Sequence, residues 1–140
     1  MVDPGIVATV ASVIAGFGSA MLVFRIQREL QMASKNERNW IPWADRLLIA
    51  AILGCLIFVL FPLVSGIPSE PIRMRVASAA CASAVVLLTG YVPAILAHYR
   101  LFLGGSRCGP RDNPEPAERW LTLLFVALAA ATFVGVLARA

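Results

Sequence analysis

Residues 36–46 read NERNWIPWADR: two tryptophans and a proline set among six charged or amide side chains. Directly downstream the character reverses, because Leu47 to Ser65 contains no ionisable residue. Upstream, Ile6 to Phe24 contains none either. A polar stretch with two indoles between two apolar runs is what a chain carries where it leaves one bilayer span and begins the next. Trp prefers the headgroup level, with the ring half buried and its N–H within reach of water or lipid oxygen.

Working outward, the same division repeats. Val76 to Tyr99 has one ionisable side chain of the acid, base or imidazole type, His98 at its far end, and Trp120 to Ala138 has none. A helix needs about 20 mostly apolar residues to cross the hydrocarbon, and each of the four runs meets that length. The composition agrees, with 59% hydrophobic and 14% charged residues in 140 and a mean hydropathy of +0.80. Soluble domains carry roughly 45–50% apolar and about 25% charged residues. The expected architecture is one integral membrane domain over residues 1–140, an all-α bundle with spans near 5–24, 46–65, 76–98 and 118–138. The first helix is expected to extend to about residue 34, because Leu22, Ile26, Leu30 and Ala33 continue an apolar stripe at helical spacing.

Orientation follows from the Lys and Arg residues of the short connectors, since cytoplasmic loops hold the excess. The first connector has Arg25, Arg28, Lys35, Arg38 and Arg46, and the third has Arg100, Arg107, Arg111 and Arg119. The opposite side has Arg73, Arg75 and Arg139. The bias places both termini on the non-cytoplasmic side of a cell membrane and opposes dual-topology insertion. The start, MVDPG, lacks the basic n-region of a secretory signal, so the first run is expected to stay as a span. The net charge of +4 is accounted for by the cytoplasmic excess, and no nucleic-acid partner is implied.

Trp40, Trp43 and Trp120 are expected to be interfacial anchors. Pro42 disfavours helix for Ile41, and Asp45 falls in the following first turn, near the positive helix end. In the third connector, Asn113 is a cap candidate, Pro114 or Pro116 suits the first helical position, and Glu115 and Glu118 complement the dipole. A Ser, Thr, Asp or Asn followed by Pro and acids is a helix start.

Within the bilayer, helices associate by close backbone approach, which small residues permit. Ala8, Ser12, Gly16 and Ala20 make one such row on the first span, and Ala11, Ala15 and Ser19 make another. Ala77, Cys81 and Ala84 lie in the small run ASAACASA of the third span, and Ala127, Ala131 and Gly135 recur on the fourth. Two rows on the first span are enough for two neighbours, one inside the bundle and one from another subunit or a second copy. Thr89, Gly90, Tyr91 and Pro93, in LLTGYVPAIL, mark the expected irregularity: a proline kink, read either as ordinary packing or as the lining of a pore.

Chemistry has little to stand on. No Asp, Glu, Lys or Arg is expected in the hydrocarbon, where proton-coupled carriers usually place one. Cys55, Cys81 and Cys108 are isolated, without a CxxC pair, so redox and structural zinc chemistry lack their ligands. The single histidine, His98, cannot supply a bis-His haem site and is expected to be an interfacial polar residue. The expectation is a protein without catalytic residues, cofactor or metal. Its partners are membrane lipid and other membrane subunits or copies of itself. Its role is a packing or assembly subunit, with a small homo-oligomeric channel lined near Pro93 as the alternative.

Overall fold

A computed structural model describes residues 3–33, 42–67, 69–101 and 115–139. All the described elements are helices: α1 (Pro4–Ala33), α2 (Ala44–Cys55), a π-helical turn (Leu56–Leu60), α3 (Phe61–Ser65), α4 (Glu70–His98) and α5 (Pro116–Arg139). Four stretches are long and apolar enough to cross a membrane: Pro4–Arg28, Ala44–Ser65, Glu70–His98 and Pro116–Arg139. The shortest, at 22 residues, is about 33 Å long at 1.5 Å per residue, against roughly 30 Å of hydrocarbon. The chain is a small multi-pass membrane protein built as a four-helix bundle.

Local chemistry sets the ends. Asp3 caps α1, its carboxylate accepting the Gly5 N–H at 2.7 Å, and Pro4 occupies the first helical position, where its missing donor costs nothing. The third span starts six residues ahead of its apolar run because Ser69 is extended and Glu70 and Pro71 suit a first turn. Gly66 ends α3 at φ 73°, a left-handed conformation that a residue without Cβ adopts freely.

The second span carries an irregularity that Pro93 alone does not foretell. Its helix widens over Leu56–Leu60, where the Phe61 N–H donates to the Leu56 carbonyl one residue further back than in an α-helix. Pro62 follows directly. A proline ring presses on the carbonyl four residues earlier, and the wider turn relieves that crowding. By contrast α4 runs through Pro93 as continuous helix to His98.

The helices α2 and α4 form the centre, with α1 packed against both and α5 laid mainly along α4. One apolar cluster joins Val7, Ala11, Ile14 and Ala15 of α1 to Ala51, Cys55, Val59, Ala77, Cys81 and Ala84. A second joins Ala44, Leu47, Leu48 and Ile52 to Tyr91 and Ala94. Close approach occurs at two glycines. A Cβ on Gly18 would lie 2.8 Å from Ile52, and one on Gly90 would collide with the Phe125 ring.

Candidate functional site

The polar chemistry collects at one end of the bundle, where α1 leaves, α2 and α5 begin, and α4 finishes. Arg25 stands near the end of the first span, its side chain 8% exposed. Its Nη1 donates to the Tyr99 hydroxyl, and its Nε lies 3.5 Å from Asp45 Oδ1. The Arg28 guanidinium sits 4.7 Å from the centre of the Tyr99 ring, a cation–π distance. Tyr99 is thus held by two cations from α1.

Glu118 is the hub of the other half. Its side chain is fully buried. Oε1 accepts the Ala44 N–H at 3.0 Å, satisfying one of the donors that a helix start leaves without an intrahelical partner. Oε2 lies 2.9 Å from His98 Nδ1, with the imidazole N–H donating to the carboxylate. Glu118 therefore ties α5 to the start of α2 and to the end of α4.

The end of α4 is itself stabilised from outside the helix. Arg100 has φ 54°, and the Arg100 N–H donates to Ala97 O while the Leu101 N–H donates to Leu96 O. This is the double bond pattern that closes a helix over a left-handed residue, normally glycine. The Arg100 Nε–Glu115 Oε1 ion pair, at 2.9 Å, holds an arginine there. Further in, the Tyr91 and Thr122 hydroxyls are buried with no hydrogen-bond partner among the described residues.

Three of these links join three different pairs of helices: Arg25–Asp45 joins α1 to α2, His98–Glu118 joins α4 to α5, and Glu118–Ala44 joins α5 to α2. The arrangement is a latch around the four helix ends. Among the described residues no group of three or more His, Cys, Asp or Glu is placed to hold a metal ion.

Sequence reading assigned these residues one at a time and missed their convergence. Glu115 and Glu118 were expected to serve their own helix dipole, yet Glu118 caps α2 instead. His98, expected at the interface, is buried against that carboxylate. Arg25, counted in the sequence only as one of the connector's basic residues, turns to Asp45. The available signal was the presence of Asp45, Glu115 and Glu118 among the arginines at the helix ends of one connector side.

The other expected site residues fall as follows. Ala77, Cys81 and Ala84 are buried in the bundle. On α1, Ala11 and Ala15 face inward with Gly18, whereas Ser12, Gly16 and Ala20 are exposed, Ala8 is half-buried and Ser19 is exposed. On α5, Ala127, Ala131 and Gly135 are all exposed, and the inward residues are Glu118, Thr122 and Ala129. Thr89 is exposed and donates to Val85 O, Gly90 meets Phe125, Tyr91 is buried against α2, and Pro93 is half-buried. Trp43 is half-buried at the start of α2, Trp120 is 74% exposed, and Trp40 lies outside the described residues.

No known protein family, curated protein or solved structure matches the chain.

Proposed function

We propose that this chain is a non-catalytic subunit of a membrane assembly, a module that docks sideways on other membrane helices while its latch keeps its own four helices in register. One observation carries the reading. The two outer helices turn rows of small residues away from their own bundle: Ser12, Gly16 and Ala20 on α1, and Ala127, Ala131 and Gly135 on α5. A Cβ added at Gly16 or Gly135 would meet nothing within 4 Å. Small residues on a lipid-facing surface gain nothing over Leu, whereas they allow another helix to approach closely.

A pore within one copy has less support. Thr89, Gly90 and Tyr91 point to three different surroundings and do not share a wall. The latch end belongs in the cytoplasm and both termini outside, from the distribution of Lys and Arg. Labelling of single cysteines at positions 3 and 69, but not 36 and 113, by an impermeant reagent on intact cells is the expected pattern.

The test of assembly is direct because Gly16→Leu and Gly135→Leu enter open space in the single chain. Each variant should keep the wild-type unfolding midpoint in detergent. Each should also strip the chain from the complex, or from the homo-oligomer, that wild type forms in mild detergent. A wild-type chain that is stable as a monomer and indifferent to both changes overturns the proposal.

A further inference from the structure

Between the second span and α5 runs an apolar groove of about 270 Å³, floored by α4. Ala50, Gly54 and Phe58 make one wall, and Val126, Ala130 and Phe133 make the other. Among the described residues the only side-chain hydroxyl lining it, that of Ser83, is engaged by the carbonyls of Ala79 at 2.9 Å and Ala129 at 3.0 Å. No described residue of the groove offers a free polar side chain to a peptide or a sugar. It lies within the membrane-spanning stretches, so its contents must be apolar.

The groove has a charged head. At the latch end, where Glu118 draws the start of α5 against the start of α2, Trp43 stands between the two helices. The Arg46 guanidinium lies 4.4 Å from the Trp43 ring centre and that of Arg119 lies 5.6 Å from it. The two guanidinium carbons are therefore within about 10 Å of each other. Both arginines are exposed. The described acids of this end are engaged elsewhere, Asp45 with Arg25, Glu115 with Arg100 and Glu118 with His98. Arg46 and Arg119 instead contact an aromatic face, which orients the guanidinium without neutralising it.

Head and groove share a register. At about 100° per residue, Trp43, Ala50 and Gly54 fall within one narrow strip of α2, with Arg46 one turn before Ala50. On α5, Arg119, Val126, Ala130 and Phe133 share a strip in the same way. From Arg46 to Phe58 the rise is roughly 18 Å, close to one leaflet's share of the ~30 Å hydrocarbon core. A pair of cations at the interface above a leaflet-deep apolar slot is complementary to one kind of molecule.

We propose that the groove between the second span and α5 binds an anionic phospholipid, with its phosphate on Arg46 and Arg119 beside Trp43 and one acyl chain along Ala50, Gly54, Val126 and Ala130. Guanidinium forks match phosphate oxygens with charge-assisted bonds. The site is independent of the lateral assembly reading: it uses a different face of α5 from the Ala127, Ala131 and Gly135 row.

The experiment uses the full chain carrying Trp40→Phe and Trp120→Phe, so that Trp43 is the sole indole. It is reconstituted in phosphatidylcholine vesicles with small fractions of acyl-brominated phosphatidylglycerol or acyl-brominated phosphatidylcholine. Brominated phosphatidylglycerol should quench Trp43 at about tenfold lower mole fraction than brominated phosphatidylcholine, as expected for two charge-assisted contacts. Arg46→Gln with Arg119→Gln should abolish that preference. Gly54→Phe, which enters open space, should reduce quenching by both lipids while circular dichroism and oligomeric state stay unchanged. Equal quenching by the two lipids overturns the proposal, as does a preference that survives loss of both arginines. Full competition by soluble glycerol phosphate would make this a free-anion site and also overturn it. So would a change of oligomeric state in Gly54→Phe, which would assign the groove to a second copy of the chain.

Discussion

Removing the Glu118 carboxylate tests whether the latch holds the bundle together. In Glu118→Ala two contacts disappear at once, the 3.0 Å bond from the Ala44 N–H and the 2.9 Å bond from His98 Nδ1. Both donors are buried, with Ala44 at 0% and His98 at 5% exposure, so water does not replace the carboxylate. A buried donor left unpaired costs about 1–3 kcal/mol, and here two of them lose their acceptor together. The expected loss for Glu118→Ala is therefore about 3–5 kcal/mol. Glu118→Gln keeps an acceptor for Ala44 and presents a donor to His98, whose ring can answer by moving its proton to Nε2. Its expected loss is smaller, about 1–2 kcal/mol. The assay is reversible unfolding in mixed micelles, following helicity and, in parallel, the separation of labels on α2 and α5. A His98→Ala, Glu118→Ala cycle should show a coupling of about 1–3 kcal/mol, because the two side chains share one network. If Glu118→Ala shifts stability by less than about 0.5 kcal/mol, the level of an ordinary surface change, the latch is not what fixes these helix ends.

Two further outcomes follow from close approach and from backbone conformation. Gly90→Ala should destabilise by about 1–3 kcal/mol through overpacking against Phe125, with partial rescue by Phe125→Leu; Gly54→Ala, facing open space, should be neutral or stabilising by up to about 1 kcal/mol. Equal effects at the two glycines would contradict the packing of α4 on α5. At the end of α4, Arg100→Gly and Arg100→Ala both lose the Glu115 ion pair but differ in tolerance of φ 54°. Gly should be more stable than Ala by about 1 kcal/mol in the same unfolding assay; the reverse order would deny the left-handed cap.

The four spans were legible in the sequence because the bilayer acts on averages. Runs such as Leu47 to Ser65 and Trp120 to Ala138 are apolar all round, and transfer into hydrocarbon depends on total apolar content, whichever way each side chain points. The same property made the inward face unreadable. With apolar residues on every side of α5, nothing in its pattern says that Ala129 is buried while Ala127 and Ala131 face out. Small-residue spacing marked both rows of α1 as able to pack, and only the placement of α2 selected Ala11, Ala15 and Gly18 for the interior. The polar residues at the helix ends were equally visible as single charges with local uses. Arg25 and Asp45 are 20 positions apart in the chain, as are His98 and Glu118, and no helical periodicity reaches across that separation. Their pairing, and the register that sets Arg46 and Arg119 over one apolar groove, exist only once α2, α4 and α5 lie side by side.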